Sequence, residues 1–118
     1  HWAYHLIPRA RAAILERLMP LEAIEAALSE AGLEPHGRFV PVDAVLQGQD
    51  YFDARGPLRA EWRAGDSIWA LASDADLAAV EHRLRELDRL GELDAYFRTH
   101  DARRQEVGQI TVLYGVKR

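Results

Sequence analysis

An α+β chain of four or five helices with one strand pair is the fold class the sequence predicts, and three observations lead there. Apolar residues recur at helical spacing in two separate segments, around Leu21–Leu28 and around Leu77–Leu90. Only two stretches read as strands, one near Phe39–Val42 and one over the final QITVLYGVK. The chain has 118 residues, which suits one domain, or a fragment of one, spanning 1–118.

The elements follow in order. Pro8 suits the first turn of a helix through RARAAILERLM, because its missing N–H would have no intrahelical partner there. Pro20 restarts a helix in which Leu21, Ile24 and Leu28 share a face, and Gly32 fits the position after its end. A strand is expected over about 37–43, with Pro41 marking an edge or a bulge. Residues 46–67 carry three glycines and a proline, and read as a long lid-like insertion with a short helix near 57–63. Ser73 and Asp74 are positioned to cap a helix whose stripe is Leu77, Val80, Leu84, Leu87 and Leu90, closed by Gly91. ELDAYFRTHDARRQEV reads as one more helix ending at Gly108.

Composition narrows the function classes. Hydrophobic residues make up 48% and charged residues 29%, which is ordinary globular usage. A formal net charge of −4 with both signs interleaved argues against a nucleic-acid surface. The chain has no cysteine, so disulfides, thiolate metal sites and a Cys nucleophile are excluded. No apolar run approaches the roughly 20 residues of a membrane span. A cytoplasmic location with neither a membrane nor a nucleic-acid partner is the expectation.

Both ends of the sequence suggest neighbours. HWAYHLIPRA brings Trp2, Tyr4, Leu6 and Ile7 at once, where a terminus is usually polar and frayed, so either a further segment packs on it or it folds onto the chain's own core. In the final strand Ile110, Val112 and Tyr114 fall on one face and Leu113 on the other, so both faces are apolar, as in a sheet covered on both sides. A two-stranded ribbon is marginal by itself, and an apolar strand with a free edge invites another chain. The expected partner is a missing N-terminal portion, or a second chain, joining through the terminal strand 109–117.

The order of these segments resembles the C-terminal part of a class I S-adenosylmethionine-dependent methyltransferase of the ubiquinone/menaquinone-biosynthesis-like group. The resemblance rests on PLEAIEAALSEAGLEPHGRFVPV, HWAYHLIPRA, WRAGDSIWAL, the ARRQEVGQ run and GQITVLYGVKR, and covers nearly the whole chain. It implies a last outer helix and sixth strand, then a seventh strand that runs antiparallel between the fifth and sixth. The fold expected is therefore four or five helices with an antiparallel strand pair, as in the C-terminal portion of a Rossmann-like enzyme. It also implies methyl transfer to a small molecule, with S-adenosylmethionine as cofactor of the complete enzyme. The glycine-rich cofactor turn of that family is not among the eight glycines here, none of which forms G-x-G after a strand. The chain alone is thus expected to bind no cofactor and to be inactive.

His5 is the candidate catalytic base, since an imidazole titrating near neutrality can take a proton from a methyl acceptor. Its other reading is a histidine hydrogen-bonded in an aromatic corner. Trp2, Tyr4, Tyr51 and Trp62 are candidate substrate-binding residues, as rings that could line an apolar pocket, or else core. Arg63 could hold an anionic group of the substrate, with Asp66 or Ser67 capping the helix that follows. Trp69 reads as core, and Arg103 and Arg104, flanked by Asp101 and Glu106, as a solvated helix face. His36, His82 and His100 fall on different elements, and no metal site is expected. The alternative function is a non-enzymatic module that binds a small ligand or dimerises.

Overall fold

The computed structural model describes all residues 1–118. Four helices of nine residues or more and a two-stranded antiparallel sheet make it an α+β fold. Helix α1 (Pro8–Arg17) starts with Pro8 in its first turn, and α2 (Leu21–Glu30) starts directly after Pro20. Gly32, at φ +80°, takes the left-handed position just past the end of α2, which a side chain would strain.

Strand β1 (Leu33–Phe39) pairs antiparallel with β2 (Val112–Lys117), Leu33 opposite Lys117 and Phe39 opposite Val112. The first strand therefore begins four residues earlier than its sequence suggests and stops before Val40. Pro41 lacks a ladder donor and restricts Val40, so pairing ends there. The irregularity falls instead between Pro35 and Gly37, beside the other proline.

Residues 46–67 are not an open loop. They form 3-10 turns at Gly48–Phe52 and Gly56–Leu58 and the one-turn helix α3 (Ala60–Arg63), followed by a further 3-10 turn at Ser67–Leu71. The turns bury Tyr51, Ala54, Pro57 and Trp62. Gly56 permits this packing: a Cβ there would lie 2.2 Å from Trp62 Nε1.

Helix α4 (Asp74–Arg89) opens with a reciprocal cap, in which the Ser73 hydroxyl accepts from the Asp76 N–H and the Asp76 carboxylate from the Ser73 N–H. Asp74 is thus not the cap; it is the exposed first residue of the helix. The expected last helix is two, α5 (Leu93–Asp101) and α6 (Arg104–Val107).

All thirteen residues of the hydrophobic core lie in 1–10 and 51–93, among them Trp2, Ile7, Tyr51, Trp62, Ile68 and Leu84. None comes from α2, β1 or β2, so the sheet with α2 packed on β1 forms an arm outside the core. The molecule measures 57 × 27 × 21 Å with a radius of gyration of 17.2 Å. A compact chain of this length would have about 13.5 Å. No helix is long and apolar enough to cross a membrane.

Candidate functional site

The N-terminal turn, Trp2–Leu6, sets the aromatic corner. It is 3-10 because His1 Nδ1 accepts from the Ala3 N–H at 3.2 Å, while Pro8 drives Ile7 to φ −128°, ψ 63° and stops the turn. Gln47 fixes the His1 tautomer. Its Nε2 donates to the Trp62 carbonyl at 3.0 Å, so its Oε1 accepts from His1 Nε2–H at 3.1 Å. The His1 ring stacks on Tyr4 at 4.5 Å and meets Tyr51 edge-on at 4.8 Å.

Trp2, Tyr51 and Trp62 stand inside the core, 0%, 1% and 3% exposed. Each polar atom there is used internally. The Trp2 indole N–H donates to the Tyr51 carbonyl, and the Trp62 N–H to the Asp50 carbonyl, both at 2.8 Å. No surface concavity of the molecule is lined by Trp2, Tyr4, Tyr51 or Trp62.

Tyr51 also donates its hydroxyl to Asp101, which pairs with Arg104 at 3.0 Å. The Arg104 guanidinium lies 5.5 Å from the Tyr51 ring centroid and 5.3 Å from that of Phe52. Arg104 is therefore not on a solvated helix face: its side chain is 11% exposed, while Arg103 beside it faces water. Burial, then the bond to Asp101, pushes the Tyr51 hydroxyl well above its ordinary pKa.

Tyr4 is anchored on Asp66. The Tyr4 hydroxyl donates to Asp66 at 2.5 Å, and burial followed by this bond raises its pKa well above the usual phenol range. The other Asp66 oxygen accepts from the Ile68 N–H at 3.2 Å, capping the turn at Ser67–Leu71. Asp66, Ser67, Trp69 and Arg63 line a concavity of about 280 Å³ whose remaining wall is Ala60, Ala64 and Ala70. Arg63 is half-buried and donates Nη1 to the Pro57 carbonyl at 2.8 Å.

His5 stands apart from both. It is exposed and packs on His100 at 4.4 Å between ring centroids, with His100 in turn 4.3 Å from Tyr96. Desolvation first, then His100 and Arg11, lowers the His5 pKa below its ordinary value, so the imidazole is neutral at pH 7 and able to accept a proton. His1 and His5 are four residues apart, which would align them on an α-helix. The 3-10 turn has three residues per turn and sends the two rings to different neighbours. No group of three or more His, Asp or Glu side chains is arranged to hold a metal ion.

Of the six residues singled out from sequence, the structure bonds Tyr4 to Asp66 and Arg63 to the Pro57 carbonyl, buries Trp2, Tyr51 and Trp62, and leaves His5 elsewhere. Asp101 and His100 were not distinguished from other polar residues of their helix. The available signal was their spacing from Tyr96 and Arg104, since residues three or four apart share a helix face. No protein-family model, no curated protein and no solved structure matches the chain.

Proposed function

We propose that this chain is the substrate-side portion of an S-adenosylmethionine-dependent methyltransferase acting on a small molecule. The cofactor cradle would come from a further stretch of chain or from a second polypeptide adding a strand to β2. The observation that carries this reading is the antiparallel β1–β2 pair: two strands separated by residues 40–111, in the order and relative direction that the methyltransferase resemblance implies for its last two. An apolar sheet face supports it. Phe39, Tyr114 and Val116 share that face and are 53%, 46% and 53% exposed.

In this reading the chain contributes pocket walls and one base, and the rate comes from aligning the acceptor with the sulfonium methyl. His5, neutral at pH 7, takes the acceptor's proton. Arg63 holds an anionic part of the substrate. In the complete enzyme His5→Ala is expected to lower kcat at least about tenfold, with folding unchanged as judged by circular dichroism. Unchanged turnover would remove the base role.

The decisive experiment is calorimetric titration with S-adenosylmethionine of the chain alone and of the complete protein. Binding by the complete protein alone supports the reading. Stoichiometric binding by the chain alone, or by neither, overturns it. A non-enzymatic dimerising module is the second reading, favoured by the same exposed face; it predicts a stable dimer by light scattering and no cofactor binding in any form of the protein.

A further inference from the structure

A histidine that serves as a base must present one ring nitrogen to the acceptor, and something has to hold the ring while it does so. His5 is exposed and joins no ion pair, so its orientation depends on what stands beside it. The ring against it is that of His100, 4.4 Å away between centroids, with the planes tilted by 34°.

The turn Trp2–Leu6 and α5 meet in two layers, and the same spacing of three residues sets both. In the inner layer buried Trp2 meets Phe97 edge-on at 5.2 Å. One 3-10 turn on from Trp2 comes His5, and three residues on from Phe97 along α5 comes His100. Core packing of the inner pair therefore brings the outer pair together. His100 is half-buried, and Tyr96, on the preceding turn of α5, lies 4.3 Å from it and packs on the core. Three rings in succession thus lead from the core to His5.

No anion compensates a charge on His5. His100 faces it from α5, Arg11 from α1 and the amine of His1 from its own turn, and each opposes a proton on it. Where residues precede His1 that amine is a peptide N–H, and the contributions of His100 and Arg11 remain. Asp101, next to His100 in sequence, is taken by the Tyr51 hydroxyl and by Arg104. Two protonated imidazoles at 4.4 Å would repel even through water.

We propose that His100 is a positioning residue for His5: its ring, braced by Tyr96, fixes where the His5 imidazole stands, and its capacity for charge sets the pH at which His5 can act as a base. The role rests on the reading of His5 as the base, and His100 acts through His5 rather than on the substrate. A His100 that only ties α5 to the N-terminal turn would be replaceable by any flat ring without effect on the titration of His5.

The His5 Cε1–H resonance, assigned by its loss in His5→Gln, is followed by NMR from pH 5 to 8.5 in the chain. Its midpoint should move to higher pH in both His100→Phe and His100→Gln, two uncharged replacements of different shape. In the complete protein the ratio of kcat at pH 6 to kcat at pH 8 should fall about twofold below the parent's in His100→Phe, since His5 must be unprotonated to act. His100→Ala should lower kcat at pH 8 by at least about threefold, because the ring that orients His5 is gone, and His100→Phe should recover most of that loss. An unchanged His5 midpoint in both uncharged variants, or parental kcat at every pH in His100→Ala, would overturn the proposal. The NMR titration needs no cofactor, so the two failures are distinct. No methyl transfer by the parent protein overturns the reading of function and this role with it. An active parent whose pH profile does not move in His100→Phe overturns this proposal alone.

Discussion

Replacing Asp101 by Asn should cost more stability than any other single charge removed from this molecule. The Asp101–Arg104 pair is the one ion pair that is nearly buried, with side chains 12% and 11% exposed, against 58% and 66% for Glu81–Arg85. Asparagine keeps an oxygen to accept the Tyr51 hydroxyl, so what is lost is chiefly the charge facing Arg104. Removing one partner of a fully buried pair costs about 3–5 kcal/mol, and this pair, about nine-tenths buried, should fall just below that range, at about 2.5 kcal/mol. At this chain length that corresponds to a fall in Tm of about 10 °C. The exposed i,i+4 control, Arg85→Ala, should cost at most about 0.5 kcal/mol. Urea unfolding of Asp101→Asn, Arg104→Gln and the double variant measures the coupling directly, and the double variant should fall well short of the summed single losses. A loss for Asp101→Asn no greater than that of Arg85→Ala would refute the claim that the Tyr51–Asp101–Arg104 network fastens α5 and α6 to the core.

Three further outcomes are expected. Gly56→Ala should destabilise by about 2 kcal/mol or more, seen in urea midpoint, because its Cβ would collide with the buried Trp62 indole. Ser73→Ala removes one half of the reciprocal cap on α4 and should cost about 1 kcal/mol by the same measurement. The lowered His5 pKa means that the unfolded chain binds that proton more readily, so its contribution to stability is full above about pH 6.5 and is lost as pH falls through the folded value. A Tm profile from pH 8 to 5 should therefore decline less steeply on the acid side for His5→Gln than for the parent, and parallel profiles would show that His5 is not the group responsible.

What the sequence made legible was periodic or punctuated. Pro8, Pro20 and Gly32 placed the first two helices because each acts through its own backbone restriction, independent of what packs around it. The α4 stripe was readable because Val80, Leu84 and Leu87 bury one face at the helical interval. The strand near Pro41 was misplaced because two prolines compete in that segment, and only register with β2 decides which one the ladder tolerates. Residues 46–67 misled most. Glycine and proline there mark tight turns, and a tight turn can be buried when an indole supplies the volume, as Trp62 does against Gly56. Arg104 was misjudged for a related reason: the three-residue spacing to Asp101 permits a pair, but only the position of Tyr51 shows that the pair is buried.

The division between core and arm also bears on where chemistry can sit. The segments that join them, residues 40–47 and 107–110, are tied to each other, since Gln109 Oε1 accepts from the Leu46 N–H at 2.8 Å and Gly108 lies against Val40. One residue further on, Gln47 bonds to His1 and to the Trp62 carbonyl, and its side chain approaches Gly65 at the turn preceding Asp66. A single short stretch thus links the arm to the aromatic corner and to the turn that carries Asp66. Rigid support of this kind is what a binding site requires, because a polar group displaced by an ångström loses most of its directional interaction. Asp66 meets that requirement, being held by Tyr4 from one side and capping the Ser67–Leu71 turn on the other, whereas exposed His5 has only the tilted His100 ring against it. On geometry alone the concavity at Arg63 and Asp66 is the better built of the two candidate centres, and a role for His5 as base depends on a substrate large enough to reach from one to the other.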